Sequence, residues 1–146
     1  MFVYSTFVQI IAAILTTLGF GILFKVKGNN LVHTCIAGGI SWAVYLFCHT
    51  HSYSLSFNYF AATFVLSLYS EMIARRKKTP VTSILIAAMI PLAPGGGIYY
   101  TMLHILYKNY PLALSKGVDT LIIAGSMAIG VFSASALFRV YQEISH

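Results

Sequence analysis

Charge is what this sequence has least of. Of 146 residues, three are acidic and nine are basic. That is 8% charged, against about 25% for an ordinary soluble domain. Twelve charged side chains cannot coat a water-soluble domain of this length. The shortage excludes a soluble enzyme, a disordered chain and a nucleic-acid binder. The net charge of +6 sits beside a hydrophobic content of 58%, with 10 Phe and 10 Tyr. It therefore reads as the basic loops of a membrane protein. Cysteine is scarce too. Cys35 and Cys48 stand 13 positions apart, roughly 20 Å along one helix, so they cannot pair and read as small packing residues. His49 and His51 stand next to Cys48 but have no acid beside them, so no metal site is expected. There is no Ser/His/Asp set, no P-loop and no HExxH, so neither an enzyme nor a cofactor is expected. Trp42, the single tryptophan, reads as a packing or interface aromatic.

What is present is length without charge. Met1 to Phe24 carries none, enough for a span of about 20 residues. It lacks the basic n-region and cleavage site of a signal peptide, so it is expected to stay as a first helix, over 2–24. Gly28 to Ser70 is also uncharged but too long for one span. Its polar middle, His49 to Ser54, marks a turn between helices expected at 31–47 and 57–73. Glu71 and Arg75 form an i,i+4 pair on the last turn, ahead of the basic loop Arg75 to Lys78. Thr79 to Tyr107 is uncharged and interrupted by Pro91-Leu92-Ala93-Pro94-Gly95-Gly96-Gly97. Two prolines and three glycines in seven residues cannot hold a regular helix. The flanking pieces, as helix, are roughly 16 and 15 Å long. Segment 80–107 therefore reads as one crossing made of two half-helices broken at 91–97, with a re-entrant hairpin as the rival. Lys108 to Lys116 reads as a polar loop, and Asp119 as the N-cap of a fifth helix over 120–138.

The expected fold is thus an all-α integral membrane protein, one transmembrane domain over 1–146, with five transmembrane helices, the fourth broken. With the N-terminus outside, Lys25, Lys27, Arg75, Arg76, Lys77, Lys78 and Arg139 are cytoplasmic, and only Lys108 and Lys116 lie outside. That imbalance sets the N-terminus outside and the C-terminus in the cytoplasm, in the cell (plasma) membrane. Small residues four apart, namely Ala13, Thr17 and Gly21, Ala37 and Ser41, and Ser126, Gly130 and Ala134, read as packing stripes.

The break is the strongest candidate site. Irregular backbone at membrane depth is tolerated only inside protein or against a wet cavity. The second half-helix would present free N–H groups from Gly95 to about Tyr99, and these attract anions. Transporters build substrate sites in this way. The candidate substrate-binding residues are Pro91, Pro94, Gly95, Gly96, Gly97, Tyr99 and Tyr100; the bland alternative is a proline kink satisfied by neighbouring helices, with the tyrosines merely packed. Glu71 is the one acid inside an expected span. It reads either as an interfacial salt bridge with Arg75 or as a gate or proton-coupling group. His104 reads either as a proton relay or as a satisfied helix histidine.

Several stretches resemble the threonine/serine exporter family. They are Gly19 to Phe24, Gly38 to Trp42, Glu71 to Arg76 with Thr79-Pro80, and Ile90 to Tyr100, in the family's order and spacing. The Pro-Leu-x-Pro-Gly block followed by Tyr is the most specific; Ala93 departs from the commoner valine or phenylalanine without disturbing the break. The likeness is to the shorter, C-terminal-half type. It implies a secondary exporter subunit for small carboxylate-bearing metabolites, threonine or serine first, driven by the proton gradient. It implies a longer five-span partner subunit of opposite orientation, so that the two halves form an inverted pair. Split-type relatives imply dicarboxylate, succinate-like export as the alternative. A homo-oligomer is the remaining assembly, and a non-transporting membrane scaffold is the alternative from another class. Small-molecule substrate and membrane lipid are the expected ligands.

Overall fold

The computed structural model describes residues 2–144, and all regular structure among them is helical. The helices are α1 (Phe2–Leu23), α2 (Asn29–Thr50), α3 (Leu55–Lys77), α4 (Val81–Met89), a 3-10 turn (Ile90–Leu92), α5 (Gly95–Leu106) and α6 (Tyr110–Ile144). The turns are tight. Gly28 and Lys25 take φ of 61° and 58° between α1 and α2. Lys78, at 51°, closes α3 in the left-handed region, a common helix stop. Ser54 caps α3 by accepting the Phe57 N–H at 3.4 Å, as N-cap serines do.

The distribution of side chains is the reverse of a soluble bundle. Thr17, Thr34, Ser41, Thr63, Ser67 and Ser70 are fully buried, while Phe7, Ile11, Leu15, Leu121 and Phe132 are exposed. In lipid nothing drives large apolar groups inward, so interfaces go to small residues that let backbones approach. Gly38 lies against Thr17, and at Gly130 a Cβ would come within 2.7 Å of the Phe60 carbonyl. Four of these hydroxyls are satisfied within their own helices, as when Thr17 donates to the Ala13 carbonyl at 2.8 Å, whereas Ser67 donates to the Val131 carbonyl of α6 and the Ser70 hydroxyl has no partner among the described residues.

α3 is the centre of the bundle and packs against α2, α4 and α6. Its buried face carries Asn58, Thr63, Ser67, Ser70 and Glu71. α1, α2 and α6 are each long and apolar enough to cross a membrane, and α4 with α5, bent by 54°, counts as a fourth. α3 is not among them, so the structure yields three to four candidate spans rather than the expected five. Its polarity suits a helix sheathed by other helices.

Neighbour pairs set the directions of the helices. Gly130 lies against Phe60 and Thr63, Val131 against Ser67, and Ser135 against Glu71. These pairs increase together, so α6 runs parallel to α3. α2 runs antiparallel to α1, through Gly38–Thr17 and Gly39–Ile14, and to α3, through Tyr45–Tyr59 and His33–Tyr69. The 81–106 segment therefore carries the chain from the Lys77 end of the bundle back to the Ser54 end. Lys25, Lys27, Arg75 to Lys78 and Arg139 gather at the Lys77 end.

One expected element is corrected. Lys108 to Lys116 is not a loop beyond its first two residues, because α6 begins at Tyr110. Its cap is Asn109, whose Oδ1 accepts the Leu112 N–H at 3.5 Å, with Pro111 in the first turn, where its missing N–H costs nothing. Asp119 is an exposed mid-helix residue and caps nothing. The 35 residues of α6 extend about 52 Å, beyond a hydrocarbon core of about 30 Å. The first turns lie along α5, where Gly117 meets Thr101 and Thr120 meets Gly97. Polar residues in sequence signal a loop, but here they sit on the exposed face of a helix that α5 holds in place.

Candidate functional site

The break is built by backbone chemistry. Pro91 cannot donate to the Ala87 carbonyl, which ends α4. The 3-10 turn closes with the Ala93 N–H on the Ile90 carbonyl at 3.0 Å. The Gly95 N–H then goes to the Ala93 carbonyl at 2.7 Å, and the Ile98 N–H to the Pro94 carbonyl at 3.2 Å. Gly96 and Gly97 are left with no N–H acceptor among the described residues. This narrows the expected donor set, which had included Gly95 and Ile98.

The three glycines have different reasons to be there. A Cβ at Gly97 would overlap the Thr120 hydroxyl, so Gly97 is required for α5 to lie on α6. At Gly95 and Gly96 a Cβ would meet nothing within 4 Å. Both are helical and exposed, so neither packing nor a left-handed backbone needs glycine there.

Two open cavities flank the break. One, of about 580 Å³, lies between Met89, Ala93 and Pro94 on one side and Met127, Val131, Phe132 and Ser135 of α6 on the other. The second, of about 340 Å³, lies between Ile90 and Pro91 and the α1–α2 pair, at Gln9, Thr16 and Trp42. Pro91 and Pro94 thus face different cavities.

Glu71 is buried in the α3–α6 seam. Its Oε2 accepts from Arg75 Nε at 3.3 Å, and its Oε1 accepts from the Ser135 hydroxyl at 3.2 Å. The Arg75 guanidinium, itself partly exposed, lies 4.9 Å from the centre of the Phe138 ring, a cation–π distance. The carboxylate therefore ties α3 to α6 at one end of the cavity that reaches Pro94. Ser135 carried no sequence signal beyond its place among small residues, because a partner 64 positions away is a tertiary fact.

Tyr99 and Tyr100 are exposed, and their rings meet edge to face at 5.3 Å between centroids. His104 is half-buried on α5, which packs against α6. By the Thr101–Gly117 register, His104 lies near residue 114, about 30 Å along α6 from Ser135. The structure does not bring His104 to Glu71. No group of three or more His, Cys, Asp or Glu able to hold a metal occurs among the described residues.

Apolar helices around a polar-seamed interior, with a half-helix break bearing unpartnered backbone donors, place the chain among membrane transport proteins. More narrowly, it belongs to the threonine/serine exporter family: the family model described as "Threonine/Serine exporter, ThrE" matches residues 9–137. The family is one of transporters and not a class of enzymes. No curated protein matches the chain, and no solved structure does.

Proposed function

We propose that the chain is the smaller membrane subunit of a proton-driven secondary exporter of small carboxylate-bearing metabolites, threonine and serine first. The observation that carries this is the pair Gly95 and Gly96. They stand at the start of a half-helix beside unpartnered N–H groups, and no packing need explains them. A substrate carboxylate in a low-dielectric site is costly unless offset. The Gly96 and Gly97 donors offset it without a fixed cation that would trap the substrate. Tyr99 and Tyr100 follow on the same half-helix and complete the substrate surface.

Five crossings are proposed, α3 being the inner one, with the N-terminus outside and the C-terminus in the plasma-membrane cytoplasmic space. The traverse of 81–106 and the gathering of basic residues at the Lys77 end support that topology. A cysteine at Tyr53 and one at Lys77, each in a background with Cys35 and Cys48 replaced by alanine, should label oppositely with an impermeant thiol reagent. Tyr53 is used because the neighbouring Ser54 caps α3. Labelling of the Lys77 position from outside overturns the orientation.

The cavities on both sides of the break open to the outside of the bundle, which supports a partner that covers them, proposed to be a longer five-span subunit of the same family. Efflux of labelled threonine, serine and succinate should be measured from cells with and without this chain and that partner. Threonine and serine efflux should need both. Succinate efflux alone supports the dicarboxylate alternative, and no efflux of any of the three supports a scaffold.

A further inference from the structure

The cavity between Pro91 and the α1–α2 pair does not end there. A further cavity of about 580 Å³ runs from Trp42 and Gln9 past Tyr45 to His49 and Thr50. The two share Gln9 and Trp42, so they adjoin along the α1–α2 pair and together make a groove from the Ser54 end of the bundle to the break. Its polar lining is amide, hydroxyl, indole, phenol and imidazole; no Lys, Arg, Asp or Glu lines it. The Trp42 ring lies 5.1 Å from that of Tyr45, and Tyr45 lies 4.9 Å from Tyr59. Four buried polar side-chain atoms lack a partner among the described residues, and of these residues only Trp42 lines the groove. Its Nε1–H is a donor held without an acceptor, which apolar surroundings penalise.

We infer that this groove is a binding compartment for the ammonium end of a small zwitterion. Aromatic faces attract an ammonium ion through the ring quadrupole, and the hydroxyl oxygens of Thr16, Tyr45 and Thr50 in the groove are acceptors for its protons. The Trp42 N–H suits an oxygen acceptor on the same molecule. A second carboxylate would find no cation here. The compartment thus discriminates an amino acid from a dicarboxylate without an acidic residue. The inference deepens the exporter reading and rests on it for its ligand class.

Trp42 is the single tryptophan, so its emission reports this groove alone. The full chain in lipid vesicles free of other protein is titrated with L-threonine, with L-threoninol, which lacks the carboxylate, and with 3-hydroxybutyrate, which lacks the ammonium. Threonine and threoninol should change the emission saturably, and 3-hydroxybutyrate should bind at least about tenfold more weakly, the loss expected for one cation–π contact. Tyr45→Phe should preserve threonine affinity and Tyr45→Leu should lower it by about tenfold. No saturable response to threonine, or equal responses to threonine and 3-hydroxybutyrate, overturns the inference. Export assays separate this from the reading it rests on. If Trp42→Leu exports normally while Gly96→Leu does not, the groove is wrong and the break stands. If both export at the original rate, the exporter site itself is wrong.

Discussion

Export should fall by about tenfold to a hundredfold when Gly95 or Gly96 is replaced by leucine, with membrane insertion and folding unchanged. The magnitude is that of losing one hydrogen bond to a charged group, about 1.5–3 kcal/mol. The expectation is sharp because structure alone predicts the opposite sign. A Cβ at either position meets nothing, and alanine in place of glycine favours a helix by about 1 kcal/mol. So Gly95→Ala and Gly96→Ala should leave thermal stability in detergent the same or raised, yet reduce export. Gly97→Ala is the contrast. It presses on Thr120, so it should lower stability by about 1–3 kcal/mol, as overpacking does. Replacing Pro91 and Pro94 together with alanine should also impair export, by letting α4 run on into α5. Gly96→Leu protein that inserts normally and exports at the original rate would remove the anion site from consideration.

The second large effect is expected at Glu71. Glu71→Gln keeps an oxygen to accept from Ser135, so the α3–α6 seam should hold. What it loses is the pair with Arg75, whose partly exposed guanidinium makes that pair worth about 1 kcal/mol or less. Stability should therefore change little. If the buried carboxylate carries the coupling proton, Glu71→Gln should still exchange labelled for unlabelled substrate, but a pH gradient should no longer drive net efflux. Reconstituted vesicles with and without an imposed pH gradient measure both. Ser135→Ala leaves one carboxylate oxygen short of a donor and should lower thermal stability in detergent by about 1–3 kcal/mol. Wild-type response to the gradient in Glu71→Gln would reduce Glu71 to a structural link.

Much of this was written locally. Uncharged runs, proline and glycine spacing and the basic loops are properties of neighbouring residues, and they fix helix against turn and the position of the break. The start of α6 was legible as well, in Asn109 and Pro111, but Lys108 and Lys116 outweighed it, because a charge signals water and not a loop. Which donors of the break remain unpartnered was not legible. It depends on how the turn from Ile90 to Gly95 closes, and that closure consumes the Gly95 N–H.

By itself, then, the sequence determined that the chain is helical, membrane-embedded and interrupted at Pro91 to Gly97, since propensity, hydropathy and proline sterics act within a few residues. Tertiary structure alone decided that Gly97 serves packing while Gly95 and Gly96 do not. It also decided that Glu71 is held by Ser135, that His104 is remote from it, and that Trp42 opens onto a groove reaching Pro91. Each of these is a contact between residues far apart in the chain. In a bundle whose interior is small side chains and whose surface is lipid-facing, hydropathy is nearly the same on every face of a helix; the four-residue spacing of small residues such as Ala13 and Thr17 or Gly130 and Ala134 marks a buried face, but not which helix it meets.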